Sequence, residues 1–222
     1  MKIQIIPDIH NKWYQAEEMI EKEGADKVVF LGDYFDSIGD NMEVTEQTAW
    51  WLKKSLEKPN RIHLLGNHDL SYLKGEMRCG GFDGGKLFII KNVVKVDLTK
   101  LKHYCWVDDY LCTHAGLSNE FYNAHNYHYF EIEKFLEWMI HNNEERLYQC
   151  SPYRGGQDGI AGIVWCDYDE FVDIPGVRQI FGHTHASDVR IEGSHICLDT
   201  WLKYYAVYDT KTRQMEIKKS DS

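Results

Sequence analysis

The residues best suited to chemistry fall in five short stretches, each placed directly after an apolar run. After IQII come Pro7, Asp8, Ile9 and His10. After VVFL come Gly32, Asp33, Tyr34, Phe35 and Asp36. After IHLL come Gly66, Asn67, His68 and Asp69. After YLC come Thr113, His114, Ala115 and Gly116. After QIF come Gly182, His183, Thr184 and His185. Taken singly, Asp8-x-His10 also reads as a capped turn and Gly32-Asp33 as an ordinary one. The Gly-His-x-His stretch is more telling, because residues two apart on an extended segment point to one side. In open α/β sheets, sites form outside the carboxyl ends of the strands, where five such ends can converge.

Imidazole nitrogen and carboxylate oxygen suit manganese, iron or zinc. Asp8, His10, Asp33, Asn67, His114, His183 and His185 supply enough ligands for two ions sharing one bridge, and Asp33, with two oxygens, is the candidate bridge. Two divalent ions roughly 3.5–4 Å apart clamp an in-line displacement at phosphorus and lower the pKa of a shared water.

Elements must hold these residues in place. Strand-like runs are read at 2–6, 27–31, 61–65, 87–90, 93–96, 104–107, 110–114, 178–181, 195–199 and 204–209. The early runs are continuously apolar, as in strands covered on both faces. Helical spacing marks 12–23, with Gly24 as its stop, and 43–57 before Pro59; a longer helix is expected over about 129–148. Strand–helix–strand alternation predicts an α/β half with right-handed crossovers, and a strand-richer second half predicts a second packed sheet. The glycine-rich GGFDGGK at 80–86 is not a phosphate-cradling loop, because its glycine spacing is wrong and Leu87 follows Lys86. It reads as a mobile loop that could border the site.

With 222 residues the chain suits one domain spanning 1–222 with a substantial core. Its net charge of −10 argues against a nucleic-acid duplex as partner. The short apolar start lacks the features of a signal peptide, and no window nears the ~18 apolar residues that span a bilayer. A cytoplasmic protein without a membrane partner is therefore expected. The six cysteines form no C-x-x-C pair and read as small buried hydrophobes.

The order D-x-H, G-D-x-x-D, G-N-H-D, H and G-H-x-H over residues 8–185 resembles the calcineurin-like metallophosphoesterases. That resemblance implies a four-layer αββα sandwich, two mixed sheets flanked by helices. It implies Asp8, His10, Asp33 and His185 at one ion, and Asp33, Asn67, His114 and His183 at the other. His68 would be the general acid and Asp36 would orient it, with Asn67 also touching substrate. Manganese leads as the metal, with iron, zinc, nickel or cobalt as alternatives. The wording GDYFD, LLGNHD, THAGLS and GIVWCDYDEF is nearest the phosphoprotein phosphatase and diadenosine tetraphosphatase branch. The substrate expected is thus a phosphomonoester, either phosphoprotein or nucleotide; the alternatives are a phosphodiester or dinucleoside polyphosphate, or a silent scaffold. Ser37 stands where that branch has arginine, and Asn11 where glycine is usual. Arg154, in SPYRGGQDG, is the candidate guanidinium for substrate, against a surface-loop role. Asp199 and Thr200 read as support for the ligands or as a turn. His125 and His128 read as packing or surface residues near the rim. Tyr34 reads as pocket lining or half-buried, and His63 and His141 carry no signal of a partner.

Overall fold

The computed structural model describes residues 1–75 and 79–220. The first half runs β1 (Lys2–Ile6), α1 (Trp13–Glu23), β2 (Lys27–Phe30), α2 (Met42–Ser55), β3 (Arg61–His63), α3 (Asn67–Lys74) and α4 (Gly84–Phe88). The second runs β4 (Cys105–Val107), β5 (Tyr110–Cys112), α5 (Asn119–His125), α6 (Ile132–Asn142), β6 (Arg178–Phe181), β7 (Arg190–Glu192), β8 (His195–Cys197), β9 (Tyr204–Asp209) and β10 (Gln214–Lys219).

Ten strands form two mixed sheets of five, in the orders β10-β9-β1-β2-β3 and β4-β5-β6-β8-β7. In each sheet three neighbouring strands pair in parallel, β1-β2-β3 and β5-β6-β8, and the remaining pairings are antiparallel. The parallel strands are those whose C-terminal ends carry the polar stretches. Side-chain alternation then builds the layers. Ile3, Ile5, Val29 and Leu31 face one way and meet Val107, Cys112, Ile180 and Ile196 of the other sheet. Ile6, Val28 and Phe30 face the other way, onto Ala16 and Met19 of α1 and Ala49 and Leu52 of α2. Leu111 turns outward to Phe121 of α5 and to Phe135, Leu136 and Met139 of α6. The result is the four-layer αββα sandwich. Among the described residues, no helix is long and apolar enough to cross a membrane.

Two expected strands are corrected. Neither 87–90 nor 93–96 is a strand: α4 passes into a π-helical stretch, Ile89–Val94, that ends at Lys95 with φ 58°, and Val96 follows as irregular chain. Asp83 starts this unit by accepting the N–H groups of Gly85 and Lys86. Ile90 and Val94, four apart, then bury one face. A short apolar run is compatible with either element, and the cap decides. The helix expected over 129–148 is shorter; it breaks at Asn143, φ −148°, and a separate 3-10 turn follows over Glu144–Tyr148. Part of 80–86 is thus the start of α4 rather than loop.

Candidate metal centre

The site is made of turns, and they are tight. Asp33, Asp36, His10, Asn11 and His183 all have positive φ, between 42° and 67°, a region that costs non-glycine residues energy. Neighbouring glycines make the close approach possible. A Cβ on Gly66 would lie 2.1 Å from Asp33 Oδ1, and one on Gly182 would lie 2.0 Å from Asp8 Oδ2. Asp69, buried at the start of α3, fixes the Asp33 turn by accepting the N–H groups of Asp33, Tyr34 and Gly66 at 2.8–3.0 Å.

Four side chains from four different turns converge. His114 Nδ1 donates to the Leu31 carbonyl at 2.9 Å, which leaves its Nε2 as a lone pair. That nitrogen lies 2.9 Å from Asn67 Oδ1, 3.2 Å from His183 Nδ1 and 3.4 Å from Asp33 Oδ2. His183 Nδ1 also sits 2.9 Å from Asn67 Oδ1, while its Nε2 is buried without a hydrogen-bond partner. Burial lowers the pKa of both imidazoles, and for His183 the neighbouring histidines lower it further. Both rings are therefore neutral. A proton on His183 Nδ1 would satisfy Asn67 but leave Nε2 an orphan acceptor; a proton on Nε2 would leave four acceptors facing one another. With the proton on Nε2, the four facing acceptors form a set that suits a cation. The residues fit a divalent ion.

A second set adjoins it. His10 Nδ1 donates to the Asp36 and Phe35 carbonyls at 2.7 and 3.1 Å, so its Nε2 lone pair faces Asp33 Oδ2 at 3.8 Å. Asp8 accepts the His183 N–H at 3.0 and 3.2 Å. Burial, and then the charges of Asp199 and Asp33, push the Asp8 carboxyl well above its usual pKa. Grouped carboxylates of this kind also call for a cation. Among the described residues, sets of three His, Cys, Asp or Glu ligand atoms within 4.8 Å of one another are His10–Asp33–His68, Asp33–His114–His183 and Asp36–His68–Cys79. Asp33 is common to the first two. Asp8 and His185 belong to none. The His185 side chain is 44% exposed at the rim, its ring edge-on to Trp201 and its Nδ1 3.8 Å from Asp199 Oδ1.

Next to these candidate ligands stands a paired histidine. His68 Nδ1 lies 3.0 Å from Asp36 Oδ2, and the His68 backbone N–H donates to Asp33 Oδ1 at 3.0 Å. Burial alone would lower the His68 pKa. The charge of Asp33 and the hydrogen bond to Asp36 overcome it, so the pKa is raised well above the usual value. Asp36 Oδ1 takes the Tyr72 hydroxyl at 2.6 Å and the Lys86 ammonium at 2.9 Å. Burial works against the Asp36 carboxylate, but these three partners hold its pKa low.

His10, Asp33, Asp36, Asn67, His68, His183 and His185 line a cleft of about 1020 Å³, edged by Ile38, Met42, Phe82, Trp165 and Trp201, while Asp8 and His114 are buried beside it. Arg154 lines it as well, with Nη2 donating to Thr184 Oγ1 at 2.8 Å and Nε 2.5 Å from Asp167 Oδ2. Tyr34 lies outside the cleft: it is fully buried, bonded to the Leu64 carbonyl and to His63. His63 has two partners, Tyr34 and Ser55 Oγ at 2.9 Å. His125 packs on Phe121, His128 stacks on Phe130, and His141 is exposed. Thr200 accepts the Tyr204 N–H and closes a turn. Asp69, Lys86 and Cys79 were given no role of their own by the sequence. Asp69 lay inside the Gly-Asn-His-Asp stretch and Lys86 at the end of GGFDGGK, but nothing local marked either for its partners, and Cys79 gave no signal.

The family model for calcineurin-like phosphoesterases matches residues 1–187. A search of curated proteins finds no match. Among solved structures, a cold-active protein tyrosine phosphatase mutant is 15% identical with a TM-score of 0.65, covering 99% of this chain and 78% of its own. A serine/threonine phosphatase from Saccharomyces cerevisiae, with similarity to human phosphatase PP5, is 15% identical at TM-score 0.62, covering 100% and 80%. A putative diadenosine tetraphosphatase is 16% identical at TM-score 0.52, covering 99% and 93%. At such identities the likeness is one of fold.

Proposed function

Because the chain belongs to the calcineurin-like phosphoesterase family, we propose that it hydrolyses phosphomonoesters, of a phosphoprotein or a nucleotide, with two divalent ions as cofactors. One observation carries this reading: the acceptors of Asp33, Asn67, His114 and His183 converge beside the His68–Asp36 pair. Asp33, Asn67, His114 and His183 would hold one ion. Asp8, His10, Asp33 and His185 would hold the other. Bound ions supply Lewis-acid polarisation of a phosphoryl oxygen and lower the pKa of water.

The chain's own residues do the rest. Asp36 accepts from His68 Nδ1, which fixes the imidazole and keeps its charge. Nε2 then holds the proton that the leaving oxygen needs, and general acid catalysis of this kind contributes typically ~10²–10⁴-fold. Arg154 stands at the cleft wall, where its guanidinium would meet phosphoryl oxygens. This intact acid pair also favours catalysis over a silent scaffold.

A second reading is hydrolysis of a phosphodiester or dinucleoside polyphosphate; the neighbour described as a putative diadenosine tetraphosphatase favours it, matching nearly the full length of both chains. The test compares manganese-loaded protein on p-nitrophenyl phosphate and bis-p-nitrophenyl phosphate, with a chelator control. Chelator-sensitive cleavage of the monoester supports the first reading. Preference for the diester moves it to the second, and silence with metal bound leaves the scaffold.

A further inference from the structure

The glycine-rich stretch delivers a buried cation to the acid pair. Lys86 is 5% exposed, although lysine is almost never buried unless paired. Its ammonium lies 2.9 Å from Asp36 Oδ1, 2.8 Å from each oxygen of Asp40 and 2.9 Å from the Gly81 carbonyl. Three protons thus have four oxygens to serve, so none is free for substrate. The partners are themselves held. Asp40 accepts Asn11 Nδ2 at 2.9 Å and the Ser37 N–H at 3.3 Å. Gly81, at φ 91°, lets this segment pack on Asp36, where a Cβ would meet the Asp36 Cβ at 2.9 Å. A continuous chain therefore runs Asn11–Asp40–Lys86–Asp36–His68.

We propose that Lys86 is a positioning residue for the His68 acid, a reading that rests on the phosphoester hydrolysis proposed above. The terminal torsion of an aspartate is broad, so a carboxylate is directional only when its other oxygen is held. Lys86 and Tyr72 hold Oδ1 of Asp36, which aims Oδ2 at His68 Nδ1 and leaves Nε2 to face the leaving oxygen. Lys86 also keeps Asp36 and Asp40, two carboxylates sharing one ammonium, from repelling each other. Asn11, one departure from the family wording, supports this arrangement by donating to Asp40, and the side chain of Ser37, another, accepts from Asn11 Nδ2 at 3.2 Å.

The test uses the full, manganese-loaded chain and two monoesters: an alkyl phosphate, whose leaving oxygen needs a proton, and p-nitrophenyl phosphate, whose leaving group needs little. Lys86→Ala is expected to lose about 10–100-fold in kcat on the alkyl ester and less than about threefold on the nitrophenyl ester, the size of other supporting-shell effects. Lys86→Arg, or added butylammonium with Lys86→Ala, is expected to recover part of the alkyl activity. Asp40→Asn, which loosens Lys86 and leaves the acid pair intact, is expected to show the same selectivity at smaller size, even if Lys86→Ala folds poorly. Equal losses on both esters, or no selectivity in Asp40→Asn, would overturn the proposal. His68→Ala separates the causes: if it shows the leaving-group dependence and the Lys86 and Asp40 variants do not, only Lys86 loses its role. Wild-type silence on both esters would overturn the hydrolase reading and this proposal with it.

Discussion

The backbone N–H of His183 points at the carboxylate of Asp8, 3.0 Å from one oxygen and 3.2 Å from the other, across 175 residues of chain. Asp8 follows β1 of one sheet and His183 follows β6 of the other, so this contact joins the two sheets at the site. It is close because Gly182 has no side chain. A Cβ there would fall 2.0 Å from Asp8 Oδ2. Gly182→Ala must therefore displace the Asp8 carboxylate or part the sheet ends. We expect it to lower metal content in dialysed protein and to cost about 1–3 kcal/mol, the usual range for overpacking. Elemental analysis with denaturant unfolding checks both. Wild-type metal content in this variant would show that Asp8 is not a ligand.

The convergent acceptors predict a thermal signature. Filling them with a cation relieves their repulsion only in the folded chain. At a hundredfold excess over Kd, one bound ion stabilises by about 2.7 kcal/mol, or roughly 5–11 °C in Tm for a chain of this size. Manganese added to chelator-stripped protein is expected to raise Tm by that order. His114→Ala and His183→Ala should each bind fewer ions per chain and lose most of the rise. An unchanged rise in both variants would remove these histidines from the ligand set.

Much of this site was legible in the sequence, for a physical reason. Each parallel strand ends in a turn that carries its own polar residues, so the information is local: an apolar run, then Gly-Asp, Gly-Asn-His or Gly-His. Asp33 and Asn67 needed no knowledge of the fold to be singled out. Lys86 did. It meets Asp36 across 50 residues, and nothing near it marks a lysine for burial. Residues 87–96 misled for a related reason, since their apolar run suits strand or helix and only the Asp83 cap and the contacts of Ile90 and Val94 settle it. β10 was missed because it is polar, QMEIKK, and sits at a sheet edge where one face meets water. The position of His185 beside Asp199, out at the rim, depends on the turn around Trp201 and has no local cue.

His63 predicts a pH dependence of stability that is independent of the site. Burial, and then the charge of Arg61, lower its pKa to about 3, while the unfolded chain keeps the ordinary value near 6.5. Between those values the unfolded state binds a proton that the native state refuses. The stabilising contribution is therefore complete above about pH 6.5 and is lost as pH falls toward about 3, by about 1.4 kcal/mol per pH unit. His63→Gln removes the titration. Between pH 6 and 4.5 the wild type should lose roughly 2 kcal/mol more than the variant in urea unfolding. Parallel losses would mean that His63 is charged in the fold.

Arg154 offers a prediction with two signs. Its guanidinium is shared between Asp167, 2.5 Å from Nε, and Thr184, 2.8 Å from Nη2. If it also grips a phosphoryl group, Arg154→Ala forfeits a charged hydrogen bond worth about 1.5–3 kcal/mol, which raises KM by roughly 10–150-fold with a smaller change in kcat. Asp167→Asn should act in the opposite direction, because it releases the cation from a competing carboxylate and so lowers KM. Steady-state kinetics of both variants on one monoester, beside their melting curves, checks the pair of signs. A lower Tm with unchanged KM in both would assign Arg154 to holding its loop against Asp167 and Thr184 rather than to substrate.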